Sequence, residues 1–205
     1  MFTLVTAACT PAEPGVTTVS TTSTLPPPAT TTTTAPEPGS RRVTDDSGIL
    51  TLRVPSSWTD ASGIGWERGG QLIGPAVTAS VNRDLWSRGW GTPGVFVGAS
   101  EAITASANEV LDAEDFSADC TYVGRERYVE EPYGGQVDRW TNCGREGGDL
   151  VVAALRPPSR AFIILVQIIL TNEVVEGAEE LVLGSIRVDI EEPEPDPDDP
   201  DAATT

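Results

Sequence analysis

The sequence predicts an α/β domain, an antiparallel sheet flanked by helices, between Thr44 and Ile190. Three observations carry this. Leu50, Leu52 and Val54 alternate with polar neighbours at period two, the pattern of a half-buried strand. Ala161 to Leu170 is apolar at nearly every position, as in a strand covered on both faces. Two segments, one after Ser100 and one near Asn172, repeat apolar residues at helical spacing.

The elements follow in order. Pro55 ends the first strand, and Ser56-Ser57-Trp58 forms the turn after it. Gly65-Trp66-Glu67 is a short strand and Ala76 to Val81 a longer one. Asn82 to Gly94 is irregular, with a helical turn carrying Trp86 and Trp90, and Gly94 to Gly98 is extended. Ser100 is expected to cap a helix that presents Ile103, Ala107, Val110 and Leu111 and ends near Asp112. Strands at 118–129 and 136–143 are joined through Pro132-Tyr133-Gly134-Gly135. Leu150 to Leu155 is a further strand, with Pro157-Pro158-Ser159 turning into the central one. A last helix from Asn172 buries Val175, Ala178, Leu181 and Val182.

The hairpin has a testable register. Pairing residues whose numbers sum to 263 sets Val123 against Trp140, Tyr122 against Thr141 and Arg125 against Asp138. Apolar meets apolar and cation meets anion, as cross-strand energetics favour. The same register sets Cys120 against Cys143, at a separation a disulfide can span. Such a bond persists in an oxidising compartment, which places the domain outside the cytoplasm. The alternative is a pair of buried thiols on neighbouring strands.

The ends differ in composition from the middle. Residues 10–43 are mostly Thr, Pro, Ser, Ala and Gly, and 191–205 are mostly Glu, Asp, Pro, Ala and Thr. Neither carries enough apolar surface to offset the entropy of ordering, so both read as disordered, the first as a linker and the second as an acidic tail. The stretch 1–9, a short apolar run closing on Ala7-Ala8-Cys9, resembles the end of a bacterial lipoprotein signal, in which the cysteine takes the lipid. No cation precedes it and the apolar run is short, as expected if translation begins upstream. Two cysteines then pair and Cys9 is left for a lipid anchor, with the linker a spacer between bilayer and domain and a potential glycosylation target. A stray cysteine in a disordered terminus is the alternative. The expected address is the outer face of the plasma membrane.

Residue types missing from the chain exclude much chemistry. All thirteen basic residues are arginine, and the net charge is −18. Without histidine there is no Ser–His–Asp or Cys–His machinery and no imidazole ligand. Without lysine there is no Schiff base, Ser–Lys dyad or P-loop lysine. The acidic balance argues against nucleic acid as a partner. No metal or cofactor is expected.

The order strand, Val54-Pro55-Ser56-Ser57-Trp58, irregular segment, helix, antiparallel strands, then a final helix ending Ser185-Ile186-Arg187 is similar to the PsbP-like superfamily. That superfamily includes a small Ran-GTPase-binding nuclear transport factor and many bacterial lipoproteins. The resemblance implies an α/β/α sandwich over Thr44 to Ile190 and a binding or assembly role, and it carries no catalytic residues. Trp90 to Ser100 also resembles secreted actinobacterial proteins, some attached to serine protease domains.

Three functions are open. The first is a non-catalytic, membrane-tethered binding or assembly module with an envelope protein as partner. Its candidate contact surface holds Trp86, Arg88, Trp90 and Tyr133, since exposed aromatics beside arginine favour interfaces. The alternative for these rings is filling space between sheet and helix. The second is an accessory domain modulating an envelope protease or kinase. The third is a carboxylate-dependent glycan hydrolase using a pair among Asp112, Glu114, Asp115, Glu130 and Glu131.

Overall fold

A computed structural model describes residues 39–171 and 177–190 of the chain. They fall within one of its two compact units, Pro36–Thr205. Cys9, the first 29 residues of the linker, the expected helix start at Asn172 and the acidic tail lie outside the described residues.

In chain order the strands are β1 (Ser40–Thr44), β2 (Leu50–Pro55), β3 (Asp60–Ser62), β4 (Trp66–Arg68), β5 (Gln71–Gly74) and β6 (Ala76–Ser80). They continue with β7 (Gly94–Ser100), β8 (Thr121–Glu130), β9 (Tyr133–Cys143), β10 (Gly148–Arg156), β11 (Ile163–Leu170) and β12 (Arg187–Val188). The helices are α1 (Arg83–Trp86), α2 (Ala107–Asp112) and α3 (Ala178–Ser185). A seven-stranded sheet takes the order β3-β6-β7-β11-β10-β9-β8, and its six neighbouring pairs are antiparallel. A three-stranded sheet, β1-β2-β12, and the hairpin β4-β5 complete the strands.

The apolar run of β11 sits inside the large sheet, as its composition requires. Ile164, Val166 and Ile168 join one core with Leu50, Leu52 and Val54 of the small sheet, Trp58 and Val182 of α3. Ile163, Leu165 and Ile169 join a second core with Trp66, Val110 and Leu111 of α2, and the Cys120–Cys143 pair. Each large aliphatic side chain sealed in this way contributes about 1.5–3 kcal/mol. The resemblance implies helices on both faces. The structure places α2 over one face, and over the other α3 shares the cover with a second sheet.

Four expectations are corrected. A strand, β1, already lies at Ser40–Thr44, starting inside the expected linker, because Arg41-Arg42-Val43 pairs with β2. Ser100 ends β7, its hydroxyl donating to the Ile73 carbonyl at 2.6 Å. The α2 cap is Ser106, which forms a reciprocal box with Glu109. Tyr133, Gly134 and Gly135 belong to β9 rather than the turn; Gly135 is required because a Cβ there would lie 2.0 Å from the Ala154 carbonyl oxygen on β10. Finally, the hairpin keeps the sum of 263 only from Gly124 onward. A bulge between Tyr122 and Gly124 shifts the register, so Tyr122 faces Trp140 and Thr121 faces Thr141. The extra residue, Val123, is left exposed.

Candidate functional site

The four residues proposed from sequence as one contact surface do not come together. Asn82 caps α1, its Oδ1 accepting from the Leu85 amide at 3.0 Å, and this short turn presents Trp86 toward Gly94. Trp86 and Trp90 are half-buried against the second core. Trp90 meets Phe116 edge-on at 5.9 Å, Phe116 meets Trp140 at 5.8 Å, and Trp140 meets Tyr122 at 4.8 Å. Trp86 and Trp90 are thus mainly packing residues, Trp90 through an edge-to-face contact. Arg88 is exposed and reaches Asp84 at 3.9 Å. Tyr133 lies in the first core, across the sheet, 6.3 Å from Phe162, and its hydroxyl accepts from the Val188 amide at 3.1 Å.

The five candidate carboxylates also separate. Asp112, Glu114 and Asp115 border a shallow depression of about 470 Å³ with Tyr122, Arg125 and Asp138. Its centre is an ion cluster that fixes α2 to the hairpin. Arg125 donates to both oxygens of the buried Asp138, through Nε at 2.7 Å and Nη2 at 2.8 Å. Its Nη1 lies 2.9 Å from Asp112. Tyr122 donates to Asp138 at 3.2 Å. Hydrogen bonding to Asp138 raises the Arg125 pKa further above its ordinary value. Burial, aided by the Asp138 charge, raises that of Tyr122. Asp112 and Asp138 therefore serve one guanidinium. Glu114 is different: burial pushes its carboxyl up, against the attraction of Arg68 and a 3.0 Å hydrogen bond from Gln167 Nε2. That bond explains the one polar residue of the central strand. Asp115 is held below its usual range by Ser117.

Glu130 and Glu131 border a larger groove, of about 950 Å³, at one end of the sheet. Three segments wall it: the approach to α2 (101–109), the β8–β9 turn (127–136) and the β10–β11 turn (156–161). Arg156 holds two of them together. Its guanidinium donates to the carbonyls of Ile103 at 3.0 Å, Arg160 at 3.1 Å and Ala105, tying the β10–β11 turn to the chain ahead of α2. Burial, then repulsion from Arg160, lowers the Arg156 pKa. Tyr133 also lines the groove. Around this frame stand Glu101, Arg127, Glu131 and Arg160, whose side chains have no ion-pair or hydrogen-bond partner among the described residues. Val129 is exposed on the same rim. Sequence reasoning missed Arg156 and Arg160, although an arginine on either side of Pro157-Pro158 was a signal of a turn held by backbone carbonyls.

The disulfide between Cys120 and Cys143 is present, with S–S at 2.06 Å. Among the described residues, no group of three or more His, Cys, Asp or Glu side chains is arranged to hold a metal ion. Among them, no helix is long and apolar enough to cross a membrane.

No protein-family model matches the chain, and no curated protein matches its sequence. Among solved structures, the chain is similar to the solution structure of cyanobacterial PsbP (CyanoP) from Synechocystis sp. PCC 6803. The two share 13% identity at a TM-score of 0.42, covering 76% of this chain and 95% of that one.

Proposed function

We propose that the chain is an extracytoplasmic, membrane-tethered, non-catalytic binding or assembly module whose contact surface is the end groove. The observation that carries this reading is the groove's construction. A frame pinned by Arg156 presents uncommitted charges of both signs, Arg127 and Arg160 with Glu101 and Glu131, beside the exposed Val129. Charges left unpaired on a rigid rim suit a protein partner of complementary pattern, which they orient and select. The disulfide supports the extracytoplasmic address, since such bonds last in oxidising compartments. Cys9 and the Thr/Pro linker support the tether. The ion cluster at Arg125 supports a non-catalytic role, because Asp112 and Asp138 are both bonded to the same guanidinium.

Crosslinking and pull-down of the full chain from native cells tests the reading. One stoichiometric protein partner should be recovered, and Arg127→Glu with Arg160→Glu should abolish its capture while leaving the fold intact. Capture that survives both charge reversals would rule out the groove.

A further inference from the structure

The three strands of the small sheet contain four arginines and no carboxylate, in a chain whose net charge is −18. Val43, Leu52 and Val54 point into the core, so alternation turns Arg42, Thr44, Thr51 and Arg53 outward. The register sets Arg42 directly opposite Arg53, and Arg187 opposite Thr51. Like charges so placed repel and destabilise the pair.

Several arginines elsewhere are neutralised by carboxylates, although among the described residues Arg127 and Arg160 of the groove are not. Arg83, Arg125 and Arg139 each hold a carboxylate at 2.9 Å or closer. On this face the pattern changes. Arg42 is exposed and has no ion-pair or hydrogen-bond partner among the described residues. Arg53 donates to the Ser40 hydroxyl, and Arg187 to the carbonyls of Gly184 and Ile186. Among the described residues, no carboxylate is bonded to the arginines of this face.

We propose that the counter-charge is the chain's own acidic segment, residues 191–201, laid across Arg42 and Arg53. Charge and connectivity select it. The segment carries seven carboxylates and no cation. It continues from β12, which pairs with β2 at Thr51 and Leu50, and the Asp189 amide bonds the Ile49 carbonyl at 2.9 Å, so the chain leaves the sheet past Ile49 and must turn back to reach Arg53. From Ile49 to Arg53 is roughly 13 Å along the strand, and Arg42 is one strand further, roughly 5 Å. Eleven residues at about 3.1 Å each, the rise of an extended proline-rich chain, can reach roughly 34 Å. Covalent attachment gives such a segment an effective concentration near the millimolar range. A second copy must instead approach against the chain's net negative charge, a repulsion felt within about 8 Å in physiological salt. The acidic segment thus acts as an electrostatic cover that any other anion must displace.

The test compares two full-length proteins, both Cys9→Ser. One keeps the acidic segment, and in the other every Glu and Asp of 191–201 becomes Gln or Asn. Arginine Nε–Hε resonances are recorded by NMR at low and high sodium chloride. At low salt the Arg42 and Arg53 signals should differ between the two proteins while those of Arg127 and Arg160 coincide. High salt should bring the acidic protein's Arg42 and Arg53 signals onto those of the neutral one. Coincident Arg42 and Arg53 signals at low salt would overturn the proposal. So would a difference that grows with protein concentration, which assigns the face to a second copy. Equal sedimentation of both proteins with phosphatidylglycerol vesicles would also overturn it, since it leaves the face open to a bilayer.

Discussion

Asp138→Ala probes the ion cluster that joins α2 to the hairpin. Asp138 is 2% exposed and takes both bonds of the Arg125 fork, with Tyr122 donating to the same carboxylate. Removing it strands a guanidinium whose side chain is 24% exposed, with Asp112, at 68% exposure, as the remaining counter-charge. Breaking a buried pair costs about 3–5 kcal/mol, and the retained Asp112 sets the lower end, about 3 kcal/mol. With a urea m-value of about 2 kcal/mol/M, the unfolding midpoint should fall by about 1.5 M. The double variant Arg125→Met with Asp138→Leu removes both charges. It should cost far less than the two single changes added together, because the uncompensated charge is what destabilises. A midpoint shift under about 0.5 M for Asp138→Ala, or additivity in the double variant, would refute the reasoning.

Other perturbations follow from the same structure. Glu114→Gln should stabilise the protein at pH 7. The raised pKa means that the folded state disfavours the ionised carboxyl, so wild-type stability is lost as pH rises through the folded value. The gain should vanish below the ordinary carboxyl value of 4.5, and chemical denaturation across pH reads it directly. Trp90→Ala should lower stability by about 2–3 kcal/mol, less than a fully buried tryptophan, without changing partner capture. Replacing both Cys120 and Cys143 by serine should cost about 3 kcal/mol in thermal or urea unfolding, the loop-closure value for a bridge of this sequence separation.

Large-scale order was legible in the sequence because it rests on long, strongly patterned runs. The central strand needed only its unbroken aliphatics, and Arg125 opposite Asp138 follows from charge pairing in the hairpin. The misses are local. Nothing in Tyr122-Val123-Gly124 announces a bulge, although Gly124, at φ 155°, is the residue that accommodates it. Ser100 and Ser106 both precede helical spacing, and the Glu three residues after Ser106 decides between them. β3, β5 and β12 have two to four residues each, too few for a period to show. β1 was hidden because Ser40-Arg41-Arg42 adjoins the Thr/Pro linker and its pairing with β2 is a tertiary fact. Tyr133, expected in the hairpin turn, opens β9, and its ring packs in the first core while Trp86 and Trp90 pack against the second. The end groove was invisible for a related reason. Its walls come from three separated segments, and Arg156 binds carbonyls, which leave no trace in side-chain pattern.

Peptide mapping of the protein taken from native cells, alkylated before any reduction, tests the extracytoplasmic reading most directly. It should yield a peptide pair joined through Cys120 and Cys143, and an N-terminal fragment whose Cys9 carries acyl chains. Three alkylated cysteines and an unacylated Cys9 would contradict it.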